Sequence, residues 1–360
     1  MKTTLQNLNA LPMPTWRWLG VNHTSLEEEV PEILPLQNFK APALPAGVFP
    51  LEELPSLLET LPTGCGQNAA EFVQSWQNAA FALRAEKNAQ AAQPLVYRYN
   101  LSETAPSVVD DTLLLAEENS SLTVVQVFSS ADEALHLHAG LTRIAAKRGA
   151  QVKLVQVQML NAASVSLCNV GVYAEEGASV ELIQLELGAK RAVSGGHTVL
   201  AGRGADMQIE TLYLGSGVRT LDFNYVVQHL APETTSNMQA AGALFDESQK
   251  IYRGTIDFVS GAARSAGHQH ENTLLFSQSA RNRTTPLILC GEENVEGQHA
   301  ATIGKVDAAK QFYLQARGLT EPQIKRLMVD AQFAPTLAKL PVPGLQEEIA
   351  QYLEERMGQI

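Results

Sequence analysis

Three segments of the chain align with one another without gaps: Gly149-Ala150-Gln151-Val152-Lys153-Leu154-Val155-Gln156-Val157, Gly177-Ala178-Ser179-Val180-Glu181-Leu182-Ile183-Gln184-Leu185 and Gly204-Ala205-Asp206-Met207-Gln208-Ile209-Glu210-Thr211-Leu212. A fourth, Asn119-Ser120-Ser121-Leu122-Thr123-Val124-Val125-Gln126-Val127, fits almost as well. Each copy opens with Gly or Asn, which adopt left-handed backbone conformations readily, and then alternates apolar with polar side chains as a half-buried strand does. The copies start 30, 28 and 27 residues apart, a spacing typical of solenoids. The sequence therefore predicts a mainly β protein built on a right-handed parallel β-helix.

The alternation also changes phase at a common place. After Leu154, Leu182 and Val124 the apolar positions move to the other register, at Val155/Val157, Ile183/Leu185 and Val125/Val127. We interpret this shared change as a corner of the coil. The linking stretches 163–173 and 191–200 are predicted to form the second strand of each coil, and Val152, Val180 and Met207 are predicted to stack in the core.

Two other folds compete with the β-helix. An antiparallel sandwich also has short strands, but its turns need not repeat one signature at near-constant spacing. A doubly wound α/β sheet needs long amphipathic helices between its strands, and the linking stretches are rich in Ser, Gly and Val instead. Both are weaker interpretations.

Composition narrows the classes of partner. The 360 residues include 26 basic and 38 acidic ones, and the net charge of -12 opposes binding to nucleic acid or to an anionic membrane. The first residues lack the apolar core of a signal peptide, and no stretch approaches the roughly 18 apolar residues of a membrane helix. We expect a cytoplasmic protein. Three cysteines without CxxC spacing, Cys65, Cys168 and Cys290, indicate neither a disulfide framework nor a structural zinc site.

Three regions follow along the chain. Residues 1–94 are predicted to form an arm that packs through Trp16 and Trp18, followed by a helix from about 68 to 90 that covers the open end of the first coil. Residues 95–303 form the β-helix. Residues 304–360 form a helical domain: Asp307 caps a first helix, Thr320-Glu321-Pro322 opens a second, and a last helix runs from about 345 to 356.

Several residues are candidates for chemistry. His268 and His270 lie on one face of a strand and are either metal ligands or part of a polar outer surface. His136 and His138 have the same spacing, stand over Ser164 and Ser166 of the next coil, and are more simply structural. Cys168 is a buried strand residue, whereas Cys65, between two glycines, is expected to be exposed.

Motifs for catalysis are absent from the sequence: it has no phosphate-binding loop, no Gly-x-Ser-x-Gly elbow and no His-Glu-x-x-His helix. Cys290 and His299 lie where the strand pattern gives way to helices, and boundaries between elements are places where binding sites form. A buried structural role for each residue is an equal alternative.

One stretch carries a family resemblance. His299-Ala300-Ala301-Thr302-Ile303-Gly304-Lys305-Val306-Asp307, followed by Phe312-Tyr313-Leu314-Gln315-Ala316-Arg317-Gly318-Leu319, resembles the signature of the SufB/SufD family of iron–sulfur cluster assembly scaffolds. The chain is more similar to SufD than to SufB, because Gln298 and Ala300 flank the histidine. Gly297 stands where many SufD sequences have Cys.

The resemblance implies a non-catalytic scaffold that pairs side by side with SufB and binds the ATPase SufC. It implies no permanently bound cofactor, only transient iron or an iron–sulfur cluster shared with SufB at His299, with Cys290, His268 and His270 as weaker candidates. For docking of SufC it points to Phe312, Tyr313, Arg317, Gly318 and Leu327. Because long edge strands on a solenoid favour side-by-side pairing, we expect the chain alone to form a homodimer that mimics the SufB–SufD pair.

Two other functions remain open from the residues. A polysaccharide lyase or hydrolase would use the same solenoid, although such enzymes are commonly secreted. A metal-free adaptor that only holds the ATPase would leave His299 as a packing residue.

Overall fold

The computed structural model describes residues 2–36, 39–304 and 308–358. Its strands in these ranges are β1 Lys2–Leu8, β2 Thr24–Glu29, β3 Val48–Pro50, β4 Ala79–Ala85, β5 Leu95–Leu101, β6 Ser107–Ala116, β7 Ser121–Ser130, β8 Leu137–Ala146, β9 Gln151–Met159, β10 Val165–Ala174, β11 Ser179–Glu186, β12 Arg191–Leu200, β13 Asp206–Gly215, β14 Thr220–His229, β15 Thr235–Leu244, β16 Gln249–Phe258, β17 Ser265–Leu275, β18 Arg281–Cys290 and β19 Val295–Gly304. The helices are α1 Ser56–Glu59, α2 Gln67–Trp76, α3 Ala308–Ala316, α4 Glu321–Leu337 and α5 Leu345–Met357, with a 3-10 turn at Arg17–Leu19.

Within the described ranges, two long sheets form the body of the molecule. The nine-stranded sheet has the order β18-β16-β14-β12-β10-β8-β6-β4-β3, and the eight-stranded sheet has the order β19-β17-β15-β13-β11-β9-β7-β5. All pairs in them are parallel except β3 with β4. Successive strands of the chain therefore alternate between the two sheets, which confirms the predicted parallel β-helix, with β10 and β12 as the second strands of their coils.

The repeat in the sequence sets the register of the coils. Val180 is the strand partner of both Val152 and Met207, and the three side chains are buried in one apolar cluster between the sheets. The residues that open the repeats turn the corner in the left-handed region, with φ of 56° at Asn119, 68° at Gly149, 64° at Gly177 and 67° at Gly204. The predicted stacking is confirmed.

The shared phase change is not a corner, and that prediction was wrong. β9 and β11 continue straight through it, but their inward positions become polar at Gln156 and Gln184. Gln184 Nε2 donates to Gln156 Oε1 at 2.9 Å, and Gln156 Nε2 donates to Gln126 Oε1 at 2.8 Å. The apolar residues of the second phase point outward and are buried by α4 and α5. The sequence pattern marks a glutamine ladder inside and a helix-covered face outside.

The predicted helix, α2, lies on the outer face of the nine-stranded sheet rather than over the end of the first coil. The predicted helix ends at Trp76, and Phe81 and Leu83 belong to strand β4 of that sheet. The segment 79–85 has apolar residues at both helical and strand spacings, and pairing with β6 selects the strand. The side chains of Trp16 and Trp18 are 73% and 79% exposed, so the arm does not pack through them.

The carboxyl-terminal helices turn back along the solenoid. α4 begins where Thr320-Glu321-Pro322 predicted, and Thr320 and Gln323 form a capping box there; α5 matches the predicted last helix. Phe333 of α4 and Ile349 of α5 pack on outward residues of the eight-stranded sheet, so these helices share a core with the strands. Asp307, predicted to cap α3, lies outside the described residues. The predicted boundaries at residues 94/95 and 303/304 stay predictions.

The two ends of the solenoid differ. At the first coil, Phe39 stacks on Tyr97 and Tyr99 with ring centroids 6.3 and 4.9 Å apart, and it thereby closes the apolar core. At the last coil, β18 and β19 each pair along one edge only within the described part of the chain. No helix among the described residues is both long and apolar enough to cross a membrane.

Candidate functional site

The last coil is the most exposed part of the solenoid. In the preceding coil, β16 is mostly buried and β17 buries alternate residues along most of its length, whereas every residue of β18 and β19 is at least partly accessible. The side chain of Ile303 in β19 is 56% exposed. An unpaired edge of this length is a template for adding a strand from another chain. This coil is the candidate site.

His299 lies on the inward side of this open coil. It is the strand partner of Gln269, which is in turn the partner of Met238, a buried member of the central cluster. Strand partners point to the same side of a parallel sheet, so the His299 imidazole faces inward. We call the space between the two sheets the bore and its open end at the last coil the mouth. His299 is exposed there, while Gln269 one coil below is only 3% exposed.

A buried ion pair lies one coil below the mouth. Lys250 Nζ contacts Glu271 Oε1, and both side chains are almost fully buried. Tyr213 OH donates to Glu271 Oε1 at 3.0 Å, and Thr284 Oγ1 of the last coil donates to Glu271 Oε2 at 2.6 Å. Burial lowers the pKa of Lys250, although the Glu271 carboxylate opposes this shift. The mouth therefore has a polar, hydrogen-bonded floor.

No sequence motif predicted this floor. Glu271 directly follows the candidate ligand His270, but no motif includes it. The alternation of β17 contained part of the signal, because Gln269 occupies an inward position that is apolar at Met238 and Ile209 in the two preceding coils. Glu271, in contrast, continues a register that is already polar at Gln184.

Cys290 is exposed at the end of β18, where its Sγ lies 3.5 Å from the carbonyl oxygen of Glu292. The structure does not place it opposite His299. Gly254 faces Gln269 across the space between the sheets, since a Cβ on Gly254 would touch the Gln269 side chain. Pro286 is the strand partner of Gly254 and His299 is that of Gln269, so Pro286 faces His299 across the mouth. Cys290 lies four residues further along β18, a distance of about 13 Å at the usual rise per residue.

His268 and His270 lie on the outer face of β17, away from the mouth. His268 Nε2 is 3.6 Å from Glu296 Oε1; the His268 side chain is partly exposed and the Glu296 side chain is mostly exposed. His138, in contrast, is buried between Asp110 and Ser166, with Nδ1 3.1 Å from Ser166 Oγ. Among the described residues, no group of three or more His, Cys, Asp or Glu side chains is arranged to hold a metal ion.

The other two cysteines are structural. Cys65 is fully buried, contrary to the expectation from its flanking glycines, because its backbone N–H donates to Asn169 Oδ1 at 2.8 Å on the outer face of the nine-stranded sheet. Cys168 points inward and donates to Gln156 Oε1 at 3.1 Å. Burial raises the pKa of both thiols well above the ordinary value, which disfavours the thiolate that binds metals.

The family model for the SUF system FeS cluster assembly SufBD core domain matches residues 99–332, from the first coils through the open coil and into α4. This chain belongs to the SufBD core family. Similar curated proteins are the iron–sulfur cluster assembly protein SufD of Bacillus subtilis, 24% identical over 75% of this chain and 62% of its own length, and a SufBD family protein of Staphylococcus epidermidis, 23% identical over 74% of this chain and 57% of its own length. A Mycobacterium bovis relative is 27% identical over 57% of this chain and 24% of its own length.

The chain thus spans about three fifths or less of these relatives. The matching family model is the core domain of the SUF system for FeS cluster assembly, and the likeness to SufD from the motif agrees with the Bacillus relative. The polysaccharide lyase alternative has no further support.

One departure from the SufBD motif has a local explanation. Gly297 points inward beside His299, and a Cβ there would lie 3.2 Å from Phe258 and 3.3 Å from Ile288. Such contacts are tight enough that a larger side chain requires Phe258 or Ile288 to shift. In this chain the inward position next to the histidine therefore favours glycine.

The residues expected to dock the ATPase lie on and beside α3. Phe312 and Tyr313 are 73% and 57% exposed, and Leu327 of α4 is also exposed. The Arg317 guanidinium lies over the Tyr313 ring, 5.1 Å from its centroid. Gly318 ends the helix in the left-handed region with φ of 93°. These aromatic side chains do not belong to the core that holds α4 and α5 to the sheet.

Proposed function

We propose that this chain is the SufD-like scaffold subunit of a complex with a SufB-like scaffold and a SufC-like ABC ATPase, and that a nascent iron–sulfur cluster is its cargo. The observation that carries the proposal is the open last coil, with His299 facing outward from the bore over the floor formed by Lys250 and Glu271. The chain itself does no chemistry in this proposal, and the ATPase hydrolyses ATP.

Pairing with the SufB-like chain uses β18 and β19. Among the described strands, the free edges of the two long sheets are those of β3 and β5 at one end and of β18 and β19 at the last coil. Phe39 covers the core at the β5 end, so the last coil is the open end that offers backbone donors and acceptors for a new strand. The two scaffolds then join end to end at their last coils rather than side by side. This arrangement buries the exposed strands and places His299 between the two chains.

His299 supplies one ligand to iron or to the cluster in this arrangement, and the partner supplies the others. Neutral imidazole binds iron through one nitrogen while an acceptor orients the other. Replacing a thiolate by imidazole also removes negative charge from the cluster site, which suits transient holding and later transfer. Cys290 stays the weaker candidate, because it lies at the far end of β18.

The exposed aromatics of α3 provide the surface for the ATPase. Phe312 and Tyr313 form a large apolar patch with Arg317 beside it, and aromatic and arginine side chains dominate the energetics of many protein interfaces. α3 lies directly after the site strand β19 in the chain. Movement of a bound ATPase can thus be transmitted to the mouth of the bore.

Co-expression tests the proposal. The chain is produced with SufB-like and SufC-like proteins, and copurification, iron and acid-labile sulfide are measured. Ile303→Lys places a charge on the exposed edge and should abolish recovery of the SufB-like chain and of the cluster while leaving ATPase binding intact. Lys87→Glu, at a distant exposed position, is the control. Normal cluster content in the Ile303→Lys complex would refute the terminal-coil site.

A further inference from the structure

An ordered loop displays two tryptophans beside the open end of the solenoid. Leu11 and Val21 are buried at its base, and Asn22 closes it through hydrogen bonds with Thr15: the Thr15 N–H donates to Asn22 Oδ1 at 2.8 Å, and Asn22 Nδ2 donates to the Thr15 carbonyl at 2.9 Å. The tip 16–19 carries the most exposed tryptophans of the described chain. We refer to residues 13–20 as the Trp loop.

The Trp loop is anchored at the last strands of the nine-stranded sheet. Arg253 of β16, fully buried, donates through Nε to the carbonyl oxygen of Val21, and it also contacts Asp222 Oδ1 at 2.6 Å. One residue earlier, the Cβ position of Gly20 is 3.5 Å from Nη1 of Arg283 in β18. The loop therefore stands on the strand whose edge is open, and a strand added to β18 comes beside it.

Two tryptophans that stay in water on a fixed loop lose the large favourable free energy that burial of their indoles would give. Tryptophan is also enriched among the residues that dominate binding energy at interfaces. Because the loop is already closed by Asn22, little conformational entropy is lost when a partner covers it. These properties are those of a preformed binding element.

The charge of the Trp loop indicates which surface of a partner chain it contacts. Arg17 stands between the two tryptophans, and the turn that joins β18 to β19 carries the acidic residues Glu292 and Glu293. When two copies of β18 pair antiparallel about a two-fold axis, the start of each strand lies beside the end of the other. The Trp loop, anchored near Arg283 at the start of β18, then meets the acidic turn at the end of the partner's β18.

We propose that the Trp loop clamps a second copy of this chain when two open coils pair through β18, with Arg17 facing the acidic turn of the other copy. The inference rests on the proposed function in one respect, the use of the last coil for strand pairing. It adds a second contact, outside the sheet, that fixes the direction of pairing.

The test measures self-association of the full chain by sedimentation equilibrium. Trp16→Ala combined with Trp18→Ala should raise the dimer dissociation constant at least tenfold, whereas Trp76→Ala, at a half-exposed tryptophan on α2, should leave it unchanged. In a Trp76→Phe background, dilution of the dimer should shift the remaining tryptophan emission to the red as the indoles return to water.

Charge-reversal variants test which surface of the second copy the Trp loop contacts. Arg17→Glu or Glu293→Arg alone should weaken the dimer, and the two together should restore at least part of the loss. If Ile303→Lys abolishes the dimer but the tryptophan pair and the reversals do not affect it, the Trp-loop clamp is overturned while pairing at the last coil stands. A wild-type chain that stays monomeric at all concentrations overturns the clamp on a second copy, and the copurification experiment above then judges the proposed function separately.

Discussion

His299 and Gln269 are strand partners on the inward side of β17 and β19, and they differ in their surroundings, since Gln269 is buried in the bore and His299 is exposed at its mouth. The pair shows that the bore continues to the end of the solenoid without a cap from the described residues. A ligand at His299 is therefore both accessible to a partner chain and held at a fixed height above the floor.

Replacing His299 separates ligation from packing. His299→Ala and His299→Gln should both reduce iron and sulfide in the three-protein complex several-fold while leaving copurification unchanged, because an exposed side chain contributes little to the fold. Glutamine keeps a hydrogen-bonding group of similar reach and binds iron poorly, so recovery of full cluster content by His299→Gln alone would indicate packing. His268→Ala, on the outer face, is the matched control and should leave cluster content unchanged.

Docking of the ATPase is tested at α3. Phe312→Ala and Tyr313→Ala should each weaken binding of the SufC-like protein by about tenfold or more, as calorimetry with the purified chain would measure. Phe49→Ala, at a half-exposed phenylalanine far along the chain, should have no effect. Unchanged affinity in both α3 variants would place the docking surface elsewhere.

Deleting the chain after Gly304 is not an equivalent test. α4 and α5 cover outward side chains of the eight-stranded sheet such as Val155, Ile183 and Leu212, and their removal would expose this apolar face to water. Loss of ATPase binding in such a truncation would not distinguish a missing docking surface from aggregation.

The predictable part of this fold lies in local signals. The left-handed residues Asn119, Gly149 and Gly177 fixed the coil length and the register, because a corner constrains the backbone whatever packs around it. The same corner continues at Glu233 and Arg264, with φ of 62° each, and sequence pattern alone does not identify residues that adopt this conformation at a cost.

The parts that sequence did not predict depend on contacts distant in the chain. Cys65 is buried because Asn169 binds its backbone, and Val155 is apolar because α4 and α5 return to cover its face. For the site, the motif located His299, but the floor of Lys250 and Glu271 combines two strands of different sheets. The two partners lie 21 residues apart in the chain, a separation that the periodicity of a single strand does not reveal.

Stability should depend on pH through His229. Its imidazole is fully buried, with Nδ1 2.7 Å from Thr234 Oγ1 and Nε2 2.9 Å from Ser236 Oγ, and burial lowers its pKa to about 4. The unfolded chain binds this proton near pH 6.5 and the folded chain does not, so the free energy of unfolding falls as the pH decreases from about 6.5 to about 4. Between pH 7 and pH 5 this one group accounts for a loss of about 2 kcal/mol.

The variant His229→Gln isolates that contribution from the acidic residues that also titrate. It should be less stable than the wild type at pH 7, and its free energy of unfolding, measured by urea denaturation, should decline less between pH 7 and pH 5. Parallel pH profiles for the two proteins would contradict a neutral buried His229.

The corner itself can be tested at Gly177. Its backbone has φ of 64°, and no atom lies within 4 Å of the position that a Cβ would occupy, so the effect of a substitution reports backbone conformation alone. Gly177→Asn should lower the free energy of unfolding by less than about 1 kcal/mol, because Asn119 already serves at the equivalent corner, whereas Gly177→Val should cost about 2 kcal/mol. Thermal and urea denaturation of the two variants measure the difference. Equal losses for asparagine and valine would show that the left-handed corner does not determine which residues the repeat accepts.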